Sequence, residues 1–507
     1  MTTTATPVKS SVMAAVQERL APLDRRFDPY SWLWALLVTF IASALRLINI
    51  RHPNQEIFDE VYYANDAYDM LTHLVEWDEK NNSPGYVVHP PLGKWMIAFG
   101  IKAFGYDTLG WRIGAAVAGI LSVLMITRIA RRLFGSTVLG CAAGLLMTFD
   151  GAHFVLSRSA LLDIFLMFFI LAAFGALLLD RDQRRRRWAM FIASGGDPAK
   201  RGRSHRPPFA VPWWRLASAA LLGCATGVKW SALFVVPAFL ILIVWWEIGA
   251  RRTAGVREPV IDTILDELGW LVLFPVIIIG VYLATWTGWF LSDTGYFRHW
   301  TRDTGGNEVP ILGALQNLWH YHEEAFKFHN GLDATHPYQS RPWQWLLLGR
   351  PVVFFFVNTL PCGAAACSAE VVLLGTPLLW WSFIPAIVAT IWFGVARRDW
   401  RAGAILLMIA FTYLPWFYFD NRTMFYFYAI PIEPFLILAV VYVLGAIMTS
   451  PRGALHDESR LMTGTVILGL FVLLVALNFA YFYPIFAGES IPTTDWSRRM
   501  WLGRLWI

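Results

Sequence analysis

Residues 31–50, SWLWALLVTFIASALRLINI, run apolar for twenty positions with a single charge, Arg46, and about nine residues past Ile50 come two adjacent carboxylates in Phe58-Asp59-Glu60-Val61-Tyr62-Tyr63. A helix of about twenty apolar residues crosses the hydrocarbon core of a bilayer. The pair therefore stands just beyond a membrane span, where water is scarce and a carboxylate can act as a base of raised proton affinity.

Outward from this stretch the pattern repeats. Apolar runs lie near 31–50, 109–130, 136–153, 159–180, 214–228, 230–248, 268–290, 370–396, 402–417, 424–448 and 462–484, which reads as an all-α polytopic membrane protein of about eleven spans. Composition agrees, with 56% hydrophobic and 15% charged residues and a mean hydropathy of +0.47. Many of the 26 Trp and 17 Tyr sit at the ends of apolar runs, as in an interfacial belt.

The net charge of +6 does not point to nucleic acid, because the arginines follow topology. Arg131-Arg132, the block from Arg181 to Arg206 with Arg184 to Arg187 at its centre, Arg251-Arg252, Arg397-Arg398 and Arg452 fall on every second loop. Such loops face the cytoplasm. Loops 51–94 and 291–369 then face outward, with the N-terminus inside and the C-terminus outside. Between Leu291 and Trp345, four Lys/Arg stand against six Asp/Glu, so that loop carries no inside signal. The expected organisation is a cytoplasmic leader, 1–30, a membrane domain, 31–485, and an outer tail, 486–507. The leader reads as uncleaved, because no small-residue cleavage site accompanies Arg19, Arg25 and Arg26. The Gly-, Arg- and Pro-rich stretch from Ile192 to Pro212 reads as a linker. No internal repeat or inverted pair of broken spans is visible, which argues against a secondary transporter.

Charges at span ends carry the chemistry. Arg46, in the last turn of the first span, and Arg112, at the start of the second, can each pair with Glu60. Asp163 follows Arg158 by five residues and has it as an expected partner on the same helix, and Lys229 and Arg422 sit at further outer ends. Intramembrane charges default to functional hypotheses, and this set reads as an anion site. With no Gly-rich phosphate loop, the anion is read as a lipid-linked phosphate. Ionisable residues at the outer ends leave apolar inner halves, which argues against a flippase carrying the lipid-linked sugar through the bilayer.

Six ordered motifs resemble the protein O-mannosyltransferases in their actinobacterial spelling: Phe58 to Tyr63, His89-Pro90-Pro91-Leu92-Gly93-Lys94, Ser157-Arg158 to Asp163, Gly227-Val228-Lys229-Trp230, His336-Pro337-Tyr338-Gln339-Ser340-Arg341-Pro342-Trp343-Gln344-Trp345, and Phe425-Tyr426-Phe427-Tyr428-Ala429-Ile430-Pro431. The likeness runs from about residue 30 to 485. It implies a GT-C glycosyltransferase of eleven spans with an outward active site. It implies Asp59 as the base toward the acceptor hydroxyl and Glu60 as the partner of arginines matching Arg46 and Arg112; the span-end charges Arg46, Arg112, Arg158, Asp163, Lys229 and Arg422 are expected around the donor phosphate. The loop motifs, with His89, Pro90, Lys94, His336, Tyr338, Ser340 and Trp343, fall to the acceptor side. Two departures stand out. Tyr62 occupies a position where many eukaryotic members carry His, and the outward loop is too short for their inserted β-trefoil domain, which puts acceptor selection by such a domain in doubt.

The implied donor is polyprenyl phosphate mannose and the implied acceptor a Ser/Thr-rich secreted polypeptide, with the secretion translocon as a candidate partner. In-line attack on a β-linked donor inverts the anomeric carbon, which needs one base rather than two close carboxylates, and cations stabilise the leaving phosphate. A related GT-C enzyme with a different acceptor is the alternative reading. No cofactor and no metal are expected. His320-Tyr321-His322-Glu323 offers ligand types, yet its i, i+2 spacing suits a strand and no Cys joins it. Cys141 and Cys224 read as packing residues, whereas Cys362 and Cys367, on the outward side by this topology, are expected to form a disulfide.

Overall fold

The computed structural model describes residues 15–23, 28–419, 421–448 and 458–506. Arg25, Arg26 and Arg452 of the topology argument, and most of the expected leader, lie outside them. Among the described residues eight helices are long and apolar enough to cross a membrane: Thr108–Phe134, Asp163–Ala193, Trp230–Ala254, Pro259–Thr285, Pro377–Arg397, Trp400–Tyr418, Tyr426–Met448 and Glu458–Ala487. The other three apolar runs correspond to the shorter helices Ser31–Leu47, Thr137–Thr148 and Trp213–Val228.

Local chemistry sets the boundaries. Asp107 caps Thr108–Phe134 by accepting from Leu109 N and Gly110 N at 2.9 Å, and Gly135, in the left-handed region at φ 64°, closes it. Ser136 then caps the next helix, which makes a tight hairpin. Leu92–Phe104 approaches Thr108–Phe134 so closely that a Cβ on Gly100 would meet the Gly110 carbonyl oxygen at 2.3 Å. Asp163–Ala193 and Tyr426–Met448 are buried for most of their length. Pro259–Thr285 instead exposes Leu268, Val272, Val276 and Ile279 along one stripe, the face expected of a lipid-facing helix.

Three boundaries differ from the sequence reading. The run 136–153 breaks at Phe149, where Asp150 caps a new short helix and also accepts from Thr376 N and Trp380 Nε1. The run 370–396 begins as a strand, because Cys367–Leu373 pairs with Val352–Val357, and its helix starts only at Pro377. The helix from Asp163 continues to Ala193, so Arg184 to Arg187 lie on its last turns rather than in a loop.

One end of the bundle is a cap. Strand Ser490–Pro492 adds to Cys367–Leu373 in a three-stranded sheet, His52 Nε2 lies 2.7 Å from the Gly488 carbonyl, and the buried Trp506 donates to the Leu348 carbonyl at 2.7 Å. Loops 51–94 and 291–369 and the C-terminal segment thus gather on the same side. The sulfurs of Cys362 and Cys367 are joined there at 2.05 Å. At the opposite end the helices are not apolar: Arg215 bonds Asp180 at 2.9 Å, Glu247 at 2.8 Å and Glu267 at 2.7 Å, and Arg184 and Arg251 join the same carboxylates. Charged helix ends there replace the expected apolar inner halves.

Candidate active site

The two carboxylates part at the start of helix Glu60–His73. Glu60 turns inward, is fully buried, and takes two bonds of 2.8 Å from Arg112 Nε and Nη2, with further donation from Ile57 N and Ala160 N. Arg112 spends its remaining donors on the carbonyls of Ile50, Pro53 and Gln55. The pair ties the 50–60 turn to the Thr108–Phe134 helix. The Asp59 carbonyl accepts from Tyr62 N and Tyr63 N, but among the described residues its carboxylate has no hydrogen bond or ion pair. Burial raises its pKa from 3.8 to about 6, against the pull of Lys229 and with a push from Asp163.

Asp59 does not itself line the cavity of about 250 Å³ bounded by His89, Asp163, Lys229, Trp230, His329, Arg422 and Tyr428, among others, but it lies near enough to two of its residues, Lys229 and Asp163, to feel their charge. Lys229 Nζ lies 2.8 Å from Asp163 Oδ2 and 5.4 Å from the centre of the Tyr428 ring. Arg422 faces the same ring from 6.0 Å, and its buried Nε has no partner among the described residues. Two cations therefore border the cavity, and among the described residues only Lys229 has a carboxylate partner there. His89 and His329 stand 5.4 Å apart, ring centre to ring centre. Burial and the nearby Lys229 and Arg422 push the His89 pKa well down, and burial first of all brings that of His329 to about 4, so both rings are neutral near pH 7. An apolar groove of about 430 Å³ adjoins the cavity at Trp230, Leu233 and Phe326 and runs to Ile278 and Ile279 on the lipid-facing helix.

The other expected site residues are placed differently. Arg46 bonds Ser157 Oγ, His153 Nδ1 and the Met147 carbonyl, away from Glu60. Arg158 reaches the carbonyls of Leu45, Arg46, Ile48 and Asn49, and so closes the C-terminus of Ser31–Leu47 as a cation should; Asp163 takes Lys229, not Arg158, as its partner. With their donors occupied, Arg46, Arg112 and Arg158 leave Lys229 and Arg422 as the cations at the cavity. Lys94 is buried with Glu76 and Asp66. Pro90 and Pro91 start helix Leu92–Phe104 and hold His89 at the cavity wall.

The His336–Trp345 motif braces the outer loop. Ser340 N donates to the Met424 carbonyl, Ser340 Oγ accepts from Trp345 Nε1, Tyr338 N donates to His336 Nδ1, and the His336 ring meets Phe425 edge-on at 5.0 Å; Trp343 stays exposed. Phe425 and Phe427 in turn meet Phe58 edge-on, and Phe354 stacks on it at 4.7 Å. His320, His322 and Glu323 lie on helix Leu312–Gly331, not on a strand. His329, on that same helix, is the cavity residue that sequence reasoning missed; its one signal was the concentration of His between His299 and His336.

Comparison with known proteins identifies the family. Residues 36–196 match the family model of dolichyl-phosphate-mannose-protein mannosyltransferase, and residues 314–506 that of the C-terminal four-transmembrane region of protein O-mannosyltransferase. The polyprenol-phosphate-mannose–protein mannosyltransferase of Mycolicibacterium smegmatis is 39% identical over 95% of this chain and 93% of its own. The protein of that name from Corynebacterium glutamicum is 34% identical over 94% and 93%. The Saccharomyces cerevisiae protein O-mannosyltransferase Pmt1–Pmt2 complex bound to the sugar donor shares the fold, with a TM-score of 0.72 at 15% identity over 98% of this chain and 94% of that one. By its sequence along nearly its whole length and by its fold, the chain belongs to the protein O-mannosyltransferases, with the membrane glycosyltransferase architecture called GT-C.

Proposed function

We propose that the chain transfers mannose from polyprenyl phosphate mannose to Ser or Thr hydroxyls of secreted polypeptides at the outer face of the cell membrane, with Asp59 as the base. The relatives' names supply the donor and the protein acceptor. The observation that carries the residue assignment is the unlike fate of the two carboxylates: Glu60 is saturated by Arg112, and Asp59 stands uncommitted beside a cation-lined cavity.

In this reading the prenyl chain lies in the apolar groove along Ile278 and Ile279, and the donor phosphate meets Lys229 and Arg422. The acceptor hydroxyl loses its proton to Asp59 as its oxygen attacks the anomeric carbon. The carbon–phosphate oxygen bond breaks on the opposite side, and the two cations stabilise the charge that gathers on the leaving phosphate. One inversion gives an α-mannoside, and the step needs no cofactor. Neutral His89 and His329 offer hydrogen bonds at the cavity without adding charge. The test incubates the purified protein with radiolabelled polyprenyl phosphate mannose and a Thr-rich peptide. Label on the peptide supports the reading; label on another acceptor, or none transferred, overturns it.

A further inference from the structure

We infer that the end of the bundle away from Asp59 holds a pocket for the phosphate headgroup of an anionic glycerophospholipid, with Arg19, Arg181 and Arg185 as its cations and Trp245, Trp246 and Trp400 as its walls. Arg181 lies eighteen residues along the helix from Asp163, roughly 27 Å at about 1.5 Å per residue, close to the thickness of a hydrocarbon core. A cavity of about 800 Å³ opens there between the 18–23 segment, the turns at 181–185 and 245–253, and Trp400. It shares no residue with the cavity beside Asp59.

Charge balance singles this cavity out. On one side of helix Asp163–Ala193, Arg184, Arg215 and Arg251 are matched by Asp180, Glu247, Glu267 and Asp266. The other side lacks such a match. Arg181 bonds Asp182 at 3.2 Å, but Asp182 also takes Arg132 at 2.6 Å and the Leu23 N–H at 3.4 Å. Arg185 donates to the Arg19 carbonyl at 2.7 Å, and no carboxylate of the described residues pairs with Arg185 or Arg19. Glu18, at the rim, is the one acidic residue lining the cavity. With Arg181 buried, Arg185 half-buried and Arg19 exposed at the mouth, a cationic excess of this kind calls for an anion.

The walls identify its source. The Arg181 guanidinium lies 3.6 Å over the Trp400 ring and 5.8 Å from that of Trp246. The Trp246 indole N–H is buried without a partner among the described residues, and Trp245 is 41% exposed, which opens the pocket sideways toward the bilayer. Indoles at headgroup depth suit the glycerol and ester region, and basic pockets between helices recognise anionic headgroups. A free, hydrated phosphate would have no use for three indoles.

The test titrates the delipidated full chain in neutral detergent with phosphatidylglycerol or phosphatidylcholine and counts bound lipid by native mass spectrometry. Phosphatidylglycerol should bind at least about tenfold more tightly than phosphatidylcholine, and Arg19→Gln with Arg185→Gln should weaken it by at least about tenfold. Arg186→Gln, exposed on the same turn, and Lys229→Gln, at the other cavity, should leave it unchanged, as should excess inorganic phosphate. If the double variant unfolds early, Trp245→Ala takes its place with the same expected loss. Equal affinity for the two lipids, an unaffected pocket variant, displacement by inorganic phosphate, or loss in Lys229→Gln would each overturn the assignment; the last would put the lipid in the donor cavity.

Discussion

Asp59 and Glu60 are neighbours in the chain and opposites in chemistry. Folding raises the pKa of Asp59, so its protonated form is favoured in the native state. The contribution of Asp59 to stability is greatest below pH 3.8 and is lost as the pH rises to about 6. The gap amounts to at most about 3 kcal/mol. Asp59→Asn should therefore unfold at a higher temperature than wild type at pH 7, measured by thermal denaturation in detergent; a lower temperature would contradict the strained-base reading. A base must be ionised, so transfer by the wild type should rise with pH through about 6 and level off above it. Glu60 behaves differently. Removing one partner of a buried ion pair costs about 3–5 kcal/mol, so Glu60→Gln should unfold at a markedly lower temperature, through the orphaned charge of Arg112.

At the scale of elements, aromatic packing holds Asp59, the proposed base. Phe58 sits at φ 50°, in the left-handed region, which disfavours a bulky residue by roughly 1–2 kcal/mol. Its ring is clamped between Phe354 of the outer sheet and Phe425 and Phe427 of the last motif. Phe354→Ala should lower kcat at least about tenfold with donor KM unchanged, because small misplacements of a reacting group are costly; a change in KM alone would assign Phe354 to binding. Much of this was legible in the sequence. Apolar run length located the helices, the ordered motifs brought Asp59, His89 and Lys229 into one account, and Arg422 stood out as a charge at a span end. The strand at 367–373 was not legible, because an apolar run bounded by a later Thr376-Pro377 reads as the start of a span, and only its partner at 352–357 reveals it. Nor were the roles of Arg46 and Arg158. An arginine at a helix end looks the same in sequence whether it meets a ligand or the backbone carbonyls of a neighbouring helix.

At the scale of the whole molecule, charge is divided between two ends. The network around Arg215 fastens the helices opposite Asp59, far from the chemistry. Arg215→Gln should lower the unfolding temperature through unpaired Asp180, Glu247 and Glu267, while the folded fraction keeps its donor KM; a shifted KM would couple the two ends. The cap end gathers loops 51–94 and 291–369 and the C-terminal segment over the cavity, where a lipid donor can enter from the bilayer and a polypeptide from water. In the proposed mechanism transfer depends there on one uncommitted carboxylate, that of Asp59. The most direct test compares mannose transfer to a Thr-rich peptide by purified wild type and Asp59→Asn, with thermal unfolding recorded on the same samples. The account predicts at least about a hundredfold loss of transfer in a protein that stays folded. Near wild-type transfer by Asp59→Asn would contradict it.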